Sequence, residues 1–278
     1  MKSAVTISLI KAARGGPFVY WDDVPRSIRK AAALGFDAVE IFAPGPQLLA
    51  ADVIRPLLQE SKMKLAAVGT GGGWVLHKLT LTSPDPTIRE RAKEFIRGII
   101  DAGGALGAPA IVGSMQGRWG DSVDCDTALH YLEDALNELG ERARKYNVPL
   151  IYEPLNRYET NIINTLGQGS ALLQNLKTSN VKLLADLFHL NIEEVDIAAS
   201  ILHAAGDIGH VHLADSNRRA AGLGHMDFAP IAHALAEISY GGYVSAECLS
   251  HPDADGAAKA TIDGYRKYFA PETAIGPH

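Results

Sequence analysis

The chain has 278 residues, of which 47% are hydrophobic and 21% are charged, as is ordinary for a globular protein. Its formal net charge of −6 argues against nucleic acid as a partner, because a phosphate backbone requires a basic surface. No apolar run approaches the ~18 residues of a membrane span, and 2 cysteines are too few for a disulfide framework.

Short apolar runs and amphipathic helices alternate along the chain. The first run alternates in hydrophobicity at Val5, Ile7 and Leu9, which is typical of a strand rather than a signal peptide. With only two cysteines, we expect a protein of the reducing cytoplasm. The predicted strands span residues 4–9, 38–42, 65–68, 110–112, 150–152, 181–185, 209–213 and 244–247. The predicted helices span residues 24–34, 53–62, 84–106, 126–146, 166–176, 193–205, 228–238 and 256–268. This unbroken series predicts one (β/α)8 TIM-barrel domain, residues 1–278.

A doubly wound open sheet is the alternative architecture. Such a sheet usually carries a glycine fingerprint for phosphate after its first strand, and residues 10–16 do not supply one. The glycine-rich stretch VGTGGGW, residues 68–74, follows the third strand but lacks the Lys-Ser/Thr ending of a phosphate loop. We interpret it as a mobile active-site loop that carries Trp74. The long helix after it is predicted to begin behind the cap candidate Ser83.

Acidic or imidazole side chains occur on each of the last four predicted strands. Glu153 ends an apolar run and is followed by a proline, which suits the end of a strand. Asp186 and Glu247 end two further apolar runs. His210 and His212 share one face of the seventh strand, and the residues alone do not choose between them. Because the carboxyl ends of barrel strands build the active site, we expect these groups to meet there.

Three carboxylates and one imidazole, without a thiolate, suit Mg²⁺ or Mn²⁺, and the single nitrogen also admits Co²⁺. One such cation can hold a carbonyl and the adjacent hydroxyl of a sugar, which lowers the cost of forming an enolate. Glu153 and Glu247 come from strands that are not neighbours, so they are expected to flank the substrate. One acid would remove the proton beside the carbonyl and the other would return it on the opposite face. The pattern therefore predicts an epimerase.

Four sequence stretches carry a family resemblance: EPLNRYETNIINT, ADLFHLNIEE, HVHLADSNRRAAGLGHMDF and YVSAECL. The chain resembles the xylose-isomerase-like TIM-barrel sugar isomerases and epimerases, most closely the D-tagatose (D-psicose) 3-epimerase and 5-keto-L-gluconate epimerase group. The resemblance is clearest over residues 149–250 and is thinner in the first half of the chain.

The resemblance also implies roles for individual residues. Glu153, Asp186, His212 and Glu247 would be the metal ligands, and the two glutamates would also move the proton. His189, Glu159 and Arg218 would contact the substrate or support the acid pair. Trp74 and Trp119 lie in predicted loops, where each would either cover a face of the sugar or simply pack. A homodimer or homotetramer is expected on the same basis.

The expected substrate is a free, unphosphorylated ketose or keto-sugar acid. A phosphate would require a cationic cradle, and the loops offer only Arg118, Arg218 and Arg219. The alternatives on the same barrel are an aldose–ketose isomerase of the hydroxypyruvate-isomerase kind and a keto-inositol dehydratase. A DNA-repair endonuclease would need several zinc ions and a basic groove. A sugar-binding barrel without catalysis would have no use for two opposed carboxylates.

Overall fold

The computed structural model describes residues 1–120 and 122–270. The strands are β1 (Lys2–Ser8), β2 (Tyr20–Trp21), β3 (Ala38–Phe42), β4 (Lys64–Gly69), β5 (Ala110–Val112), β6 (Leu150–Tyr152), β7 (Val181–Asp186), β8 (Ile208–Leu213) and β9 (Tyr243–Ala246). The helices are α1 (Val24–Leu34), α2 (Ala51–Glu60), α3 (Gly72–His77), α4 (Pro86–Gly104), α5 (Cys125–Arg144), α6 (Leu166–Asn175), α7 (Leu187–Glu193), α8 (Ile197–Ala204), α9 (Phe228–Glu237) and α10 (Ala254–Tyr268). None of the described helices is long and apolar enough to cross a membrane.

Eight of the strands, β1 and β3 to β9, form a closed parallel barrel. Each pairs with the next along the chain, and β1 also pairs with β9, from Lys2↔Tyr243 to Val5↔Ala246. The two-residue strand β2 pairs with the end of β1 at Ile7 and Ser8. The predicted (β/α)8 barrel is confirmed, and its strand ends meet at one rim, where barrel enzymes place their chemistry.

The hydrophobic core of the described residues consists of one large part and three smaller clusters. The larger part packs the outward faces of the strands against the helices. A separate cluster of Ala67, Ile111, Ile151 and Leu184 comes from four neighbouring strands and contains no helix residue, so it lies inside the barrel. This apolar layer closes the barrel interior as a packed core rather than a pore.

Most of the predicted boundaries lie within two residues of the observed ones, but three expectations were wrong. The glycine-rich stretch is not simply a loop, because its second half forms α3. The predicted helix at 193–205 corresponds to α8, which starts only at Ile197 because Asp196 accepts a hydrogen bond from Ala199 N, and the helix α7 before it was not predicted. The helix α4 begins behind Asp85, which accepts from Thr87 N, and not behind Ser83.

Candidate metal centre

The four predicted ligands follow one another around the rim on β6, β7, β8 and β9. Glu153 comes directly after β6, Asp186 is the last residue of β7, His212 lies near the end of β8, and Glu247 comes directly after β9. All four side chains are buried. One ligand atom from each lies within 4.8 Å of the others, so the structure brings together residues from four separate strands.

The centre of this group is Nδ1 of His212. It lies 3.6 Å from Glu153 Oε1, 3.5 Å from Asp186 Oδ2 and 3.7 Å from Glu247 Oε2. These separations exceed ordinary N–H···O hydrogen bonds, whereas atoms that share one divalent cation with bonds of about 2.1 Å lie roughly 3 to 4 Å apart.

Two buried atoms of the group lack partners. Within residues 1–120 and 122–270, neither His212 Nδ1 nor Asp186 Oδ2 has a hydrogen-bond partner. Leaving buried polar atoms unsatisfied is costly, and such atoms are rare in native proteins. Since both atoms converge on the same point among carboxylates, this donor set can hold a metal ion.

The two carboxylate oxygens of Asp186 have different surroundings. Oδ1 accepts hydrogen bonds from Phe188 N at 2.8 Å and His189 N at 3.3 Å, which caps α7. Oδ2 is therefore directed at the centre. Burial works to raise the pKa of Asp186, but His189, His212 and Arg218 outweigh it and lower that pKa below its usual range. Asp186 is thus a carboxylate fixed in orientation before any metal binds.

Glu40 on β3 is a fully buried acid that the sequence analysis missed. Its Oε1 lies 3.0 Å from His212 Nε2, and its Oε2 lies 2.8 Å from His210 Nε2. Burial opposes its charge, yet His212 and His210 lower the pKa of Glu40, so it is a carboxylate and accepts from both rings. His210 therefore bonds to Glu40, while His212 also presents Nδ1 to the centre. The signal in the sequence was a lone acid within the apolar run AVEIF.

Gly113, directly after β5, makes room for Glu153. A methyl group at this position would overlap Glu153 Oε2. The backbone of Glu153 is held as well, since its N–H donates to Val112 O at 3.0 Å and its carbonyl accepts from Gln116 Nε2 at 3.0 Å. A glycine in the neighbouring strand end thus sets where this carboxylate lies.

His189 presents a proton donor to the same space. Its Nδ1 lies 2.7 Å from Asn156 Nδ2, whose own Oδ1 accepts from Tyr158 N. Because the amide NH₂ only donates, Nδ1 of His189 accepts and its proton is on Nε2. That Nε2 lies 3.7 Å from Asp186 Oδ2 and 3.9 Å from Glu153 Oε1. The ring is therefore placed to donate to an oxygen of a bound molecule.

Arg218 joins the predicted acids from the loop after β8. Its Nη2 lies 2.6 Å from Glu247 Oε2, its Nη1 lies 3.5 Å from Glu159 Oε1, and its guanidinium lies over the ring of Phe188. The backbone has φ 59°, a left-handed conformation that costs energy in a residue with a side chain. The hydrogen bond from Arg218 N to Asp215 O helps to hold it there.

Burial and charge give two of the ligands unusual pKa values in the metal-free protein. Burial raises the pKa of Glu247 to about 8, with Glu153 and Asp186 adding to the rise against His212 and Arg218. Burial works to lower the pKa of His212, but Glu40 and Glu247 outweigh it and raise that pKa well above its usual range. Both groups therefore hold protons that a cation would replace.

A cavity of about 370 Å³ opens above these ligands. Its lining includes most of the residues predicted to contact substrate or metal: Glu153, Glu247, Glu159, His189, Arg218 and Trp74. Trp119 is absent from that lining and instead lines a neighbouring cavity. A volume of this order is typical of a small-molecule site.

Comparison with known proteins gives a consistent result. Residues 28–268 match the model of the xylose isomerase-like TIM-barrel family. A D-psicose 3-epimerase of Ruminiclostridium cellulolyticum is 32% identical over 244 residues, 83% of this chain and 81% of that protein. An L-ribulose 3-epimerase of Mesorhizobium japonicum is 32% identical over 200 residues, 71% of this chain and 67% of that protein.

A solved structure of a ketose epimerase has a similar fold. The crystal structure of D-psicose 3-epimerase with D-tagatose from Clostridium cellulolyticum H10 has a TM-score of 0.81 at 25% identity, covering 98% of this chain and 100% of that one. These relatives confirm the resemblance noted in the sequence and the prediction of an isomerase similar to the ketose 3-epimerases. The chain belongs to the xylose isomerase-like TIM-barrel family.

Proposed function

We propose that the protein is a metal-dependent epimerase of an unphosphorylated ketose or keto-sugar acid, and that it inverts the carbon next to the carbonyl. The observation that carries this proposal is the arrangement of two glutamates around one cluster. Glu153 and Glu247 follow β6 and β9, with Asp186 and His212 on the two strands between them. The two acids therefore stand at opposite ends of the arc that surrounds the centre.

Glu153, Asp186, His212 and Glu247 would hold one divalent cation, Mn²⁺, Mg²⁺ or Co²⁺, through three carboxylates and one imidazole. When bound, such an ion supplies a Lewis acid that lowers the cost of negative charge on the substrate oxygens. The unpartnered Asp186 Oδ2 and His212 Nδ1 support this assignment among the described residues.

The protein's own side chains move the proton. One of Glu153 and Glu247 takes it from the carbon beside the carbonyl, which leaves an enediolate, and the other returns it to the opposite face. Arg218 holds Glu247 through the 2.6 Å contact, and His189 offers Nε2–H to a substrate oxygen. The names of the relatives agree with this chemistry, since carbon 3 of psicose or ribulose lies beside the carbonyl.

We also propose a homodimer or homotetramer, a cytoplasmic location and a place in carbohydrate metabolism. The family resemblance supports the assembly, and the chain's ordinary composition with two free cysteines supports the location.

The experiment is to incubate the protein and Mn²⁺ with a panel of ketoses and keto-acids, followed by chiral chromatography and NMR of the products. An epimer of the starting ketose, formed only with metal, is the expected result. An aldose product would support the aldose–ketose isomerase instead, and loss of water would support the dehydratase. Sugar binding without metal-dependent turnover of any compound would contradict the proposal.

A further inference from the structure

The cavity above the metal centre adjoins a larger one. The second cavity has a volume of about 630 Å³, against about 370 Å³ for the first. Trp74, Ser114 and Glu159 line both, so these residues form the boundary between the two spaces. A molecule bound at the centre can therefore extend past them into the second cavity.

The second cavity has a fixed aromatic wall. Trp119 donates its backbone N–H to Asn161 Oδ1 at 3.0 Å and its indole Nε1–H to Asn161 O at 2.7 Å, while Asn161 Nδ2 donates to Trp119 O at 3.0 Å. These three bonds join the loops that follow β5 and β6. The polar edge of the indole is thus satisfied, yet 41% of the residue remains exposed. The three hydrogen bonds therefore hold a ring that is still partly open to the cavity.

Tyr158 adds a second ring, 77% exposed, at the same cavity. Among the described residues, the hydroxyl groups of Thr80, Ser83 and Ser122 and the guanidinium of Arg118 lie between and beside the rings, and Glu159 at the boundary adds a carboxylate. Flat aromatic faces pack against the C–H faces of a sugar ring, and hydroxyls bind its hydroxyls. A single exposed guanidinium is too little for a phosphate group, which favours a cradle of several donors. The lining therefore fits a sugar ring without a phosphate group.

We propose that the second cavity binds a glycosyl unit, so that the substrate is a keto-sugar carrying a second sugar ring. This inference rests on the proposed function and narrows its substrate class. The carbonyl and the carbon to be inverted must lie beside Glu153 and Glu247, so only the far end of the sugar can pass Trp74 and Glu159. The second ring is accordingly attached to the end of the ketose that is remote from its carbonyl.

An interface between two copies of the chain is the rival use for exposed aromatic residues. Two features favour a ligand instead: the surface is a cavity continuous with the metal site, and the Trp119 ring is fixed by hydrogen bonds rather than free to repack. The oligomeric state of each variant is therefore part of the test.

The experiment uses the Mn²⁺-loaded protein with D-fructose and with maltulose and isomaltulose, in which a glucosyl unit is attached to oxygen 4 or oxygen 6 of the same ketose. We measure kcat/KM by solvent deuterium incorporation at carbon 3, and Kd by calorimetry. We expect isomaltulose, whose glucosyl unit is on the end remote from the carbonyl, to be preferred over D-fructose by roughly tenfold or more, the factor that one good stacking contact supplies. Maltulose carries its glucosyl unit next to the reacting carbon and should not be preferred. Trp119→Ala should lower the ratio of kcat/KM for isomaltulose to kcat/KM for D-fructose by about the same factor. Tyr158→Ala should lower this ratio too.

Two controls separate stacking from general damage. Trp119→Phe keeps an aromatic face and should keep most of the preference for the disaccharide. Leu76→Ala removes an exposed apolar side chain outside the cavity and should leave that preference unchanged. Equal kcat/KM and equal Kd for D-fructose and isomaltulose, or a preference for maltulose alone, would overturn the inference. The inference would also be overturned if the Trp119 and Tyr158 variants changed the oligomeric state on size-exclusion chromatography but left the ratio of kcat/KM values unchanged. If the proposed function is wrong, no sugar will exchange deuterium. The Kd values from calorimetry will then still show whether the second sugar ring strengthens binding.

Discussion

Glu40 and His212 are joined by a 3.0 Å hydrogen bond deep inside the barrel, on the side of the imidazole that faces away from the metal centre. Glu40 lies on β3 and His212 on β8, which are 172 residues apart in the chain. The bond keeps a proton on Nε2 of His212, so Nδ1 is the ring atom that could bind a cation. Carboxylate partners of this kind orient metal-binding histidines and strengthen them as ligands.

Glu40→Gln should therefore weaken metal binding without touching a ligand. The amide has one acceptor oxygen and no charge, so it cannot accept from both His210 and His212 as the carboxylate does. We expect the Kd for Mn²⁺, measured by calorimetry, to rise about 10- to 100-fold. Glu60→Gln, which changes an exposed glutamate at the end of α2, is the matched control. Unchanged affinity in a folded Glu40→Gln protein would contradict the role assigned to Glu40.

Gly113→Ala tests whether the position of Glu153 is set by its neighbour. The added methyl group would overlap Glu153 Oε2, so the carboxylate or the strand end must move. We expect the Kd for Mn²⁺ to rise by at least about tenfold, as for other changes that displace a ligand's support. Gly167→Ala places the same methyl group in open space on α6 and should bind Mn²⁺ like the native protein. Equal Kd values for the two variants would show that Glu153 does not depend on Gly113.

Metal binding should release protons near neutral pH. In the metal-free protein the pKa of Glu247 is raised to about 8 by burial and the neighbouring acids, and that of His212 is also raised. Below pH 8 a cation must displace the proton on Glu247, so affinity falls as the pH falls, by about tenfold per unit for each proton released. Calorimetry at pH 7 in two buffers of different ionisation enthalpy measures this release. Binding that is independent of pH between about pH 6 and pH 8 would contradict these protonation states.

The sequence predicted the barrel, and the positions of Glu153, Asp186 and Glu247 at its rim, from local signals, whereas the choice of His212 over His210 came from the family resemblance. An apolar run that ends in an acid identifies both a strand and the group at its rim, as at Asp186. Glu40 gave the same kind of local signal, a charge within an apolar strand, but its partners on β8 are known only once the barrel is closed. The function of a buried acid depends on that closure, which the sequence pattern does not specify by itself.

The helix α3 was missed for a different physical reason. Glycine has a low helix propensity, so a stretch of three glycines favours a loop. Here the packing requires glycine: a methyl group on Gly72 would lie 2.6 Å from Ala43 O, and one on Gly73 would lie 2.5 Å from Met115 Sδ. Tertiary contact overrides propensity at these positions. The path of the Trp119 loop is likewise set by Asn161, 42 residues further along the chain.

The central claim is that Glu153 and Glu247 move one proton between two faces of the same carbon, and solvent deuterium exchange tests it most directly. Glutamine keeps the shape of each side chain but removes its ability to accept the proton. On a ketose that the native protein epimerises in D₂O, with Mn²⁺ saturation confirmed by calorimetry, Glu153→Gln and Glu247→Gln should each abolish epimerisation and lower deuterium incorporation at the reacting carbon by at least about 100-fold. Full exchange and full epimerisation in both metal-loaded variants would contradict the account.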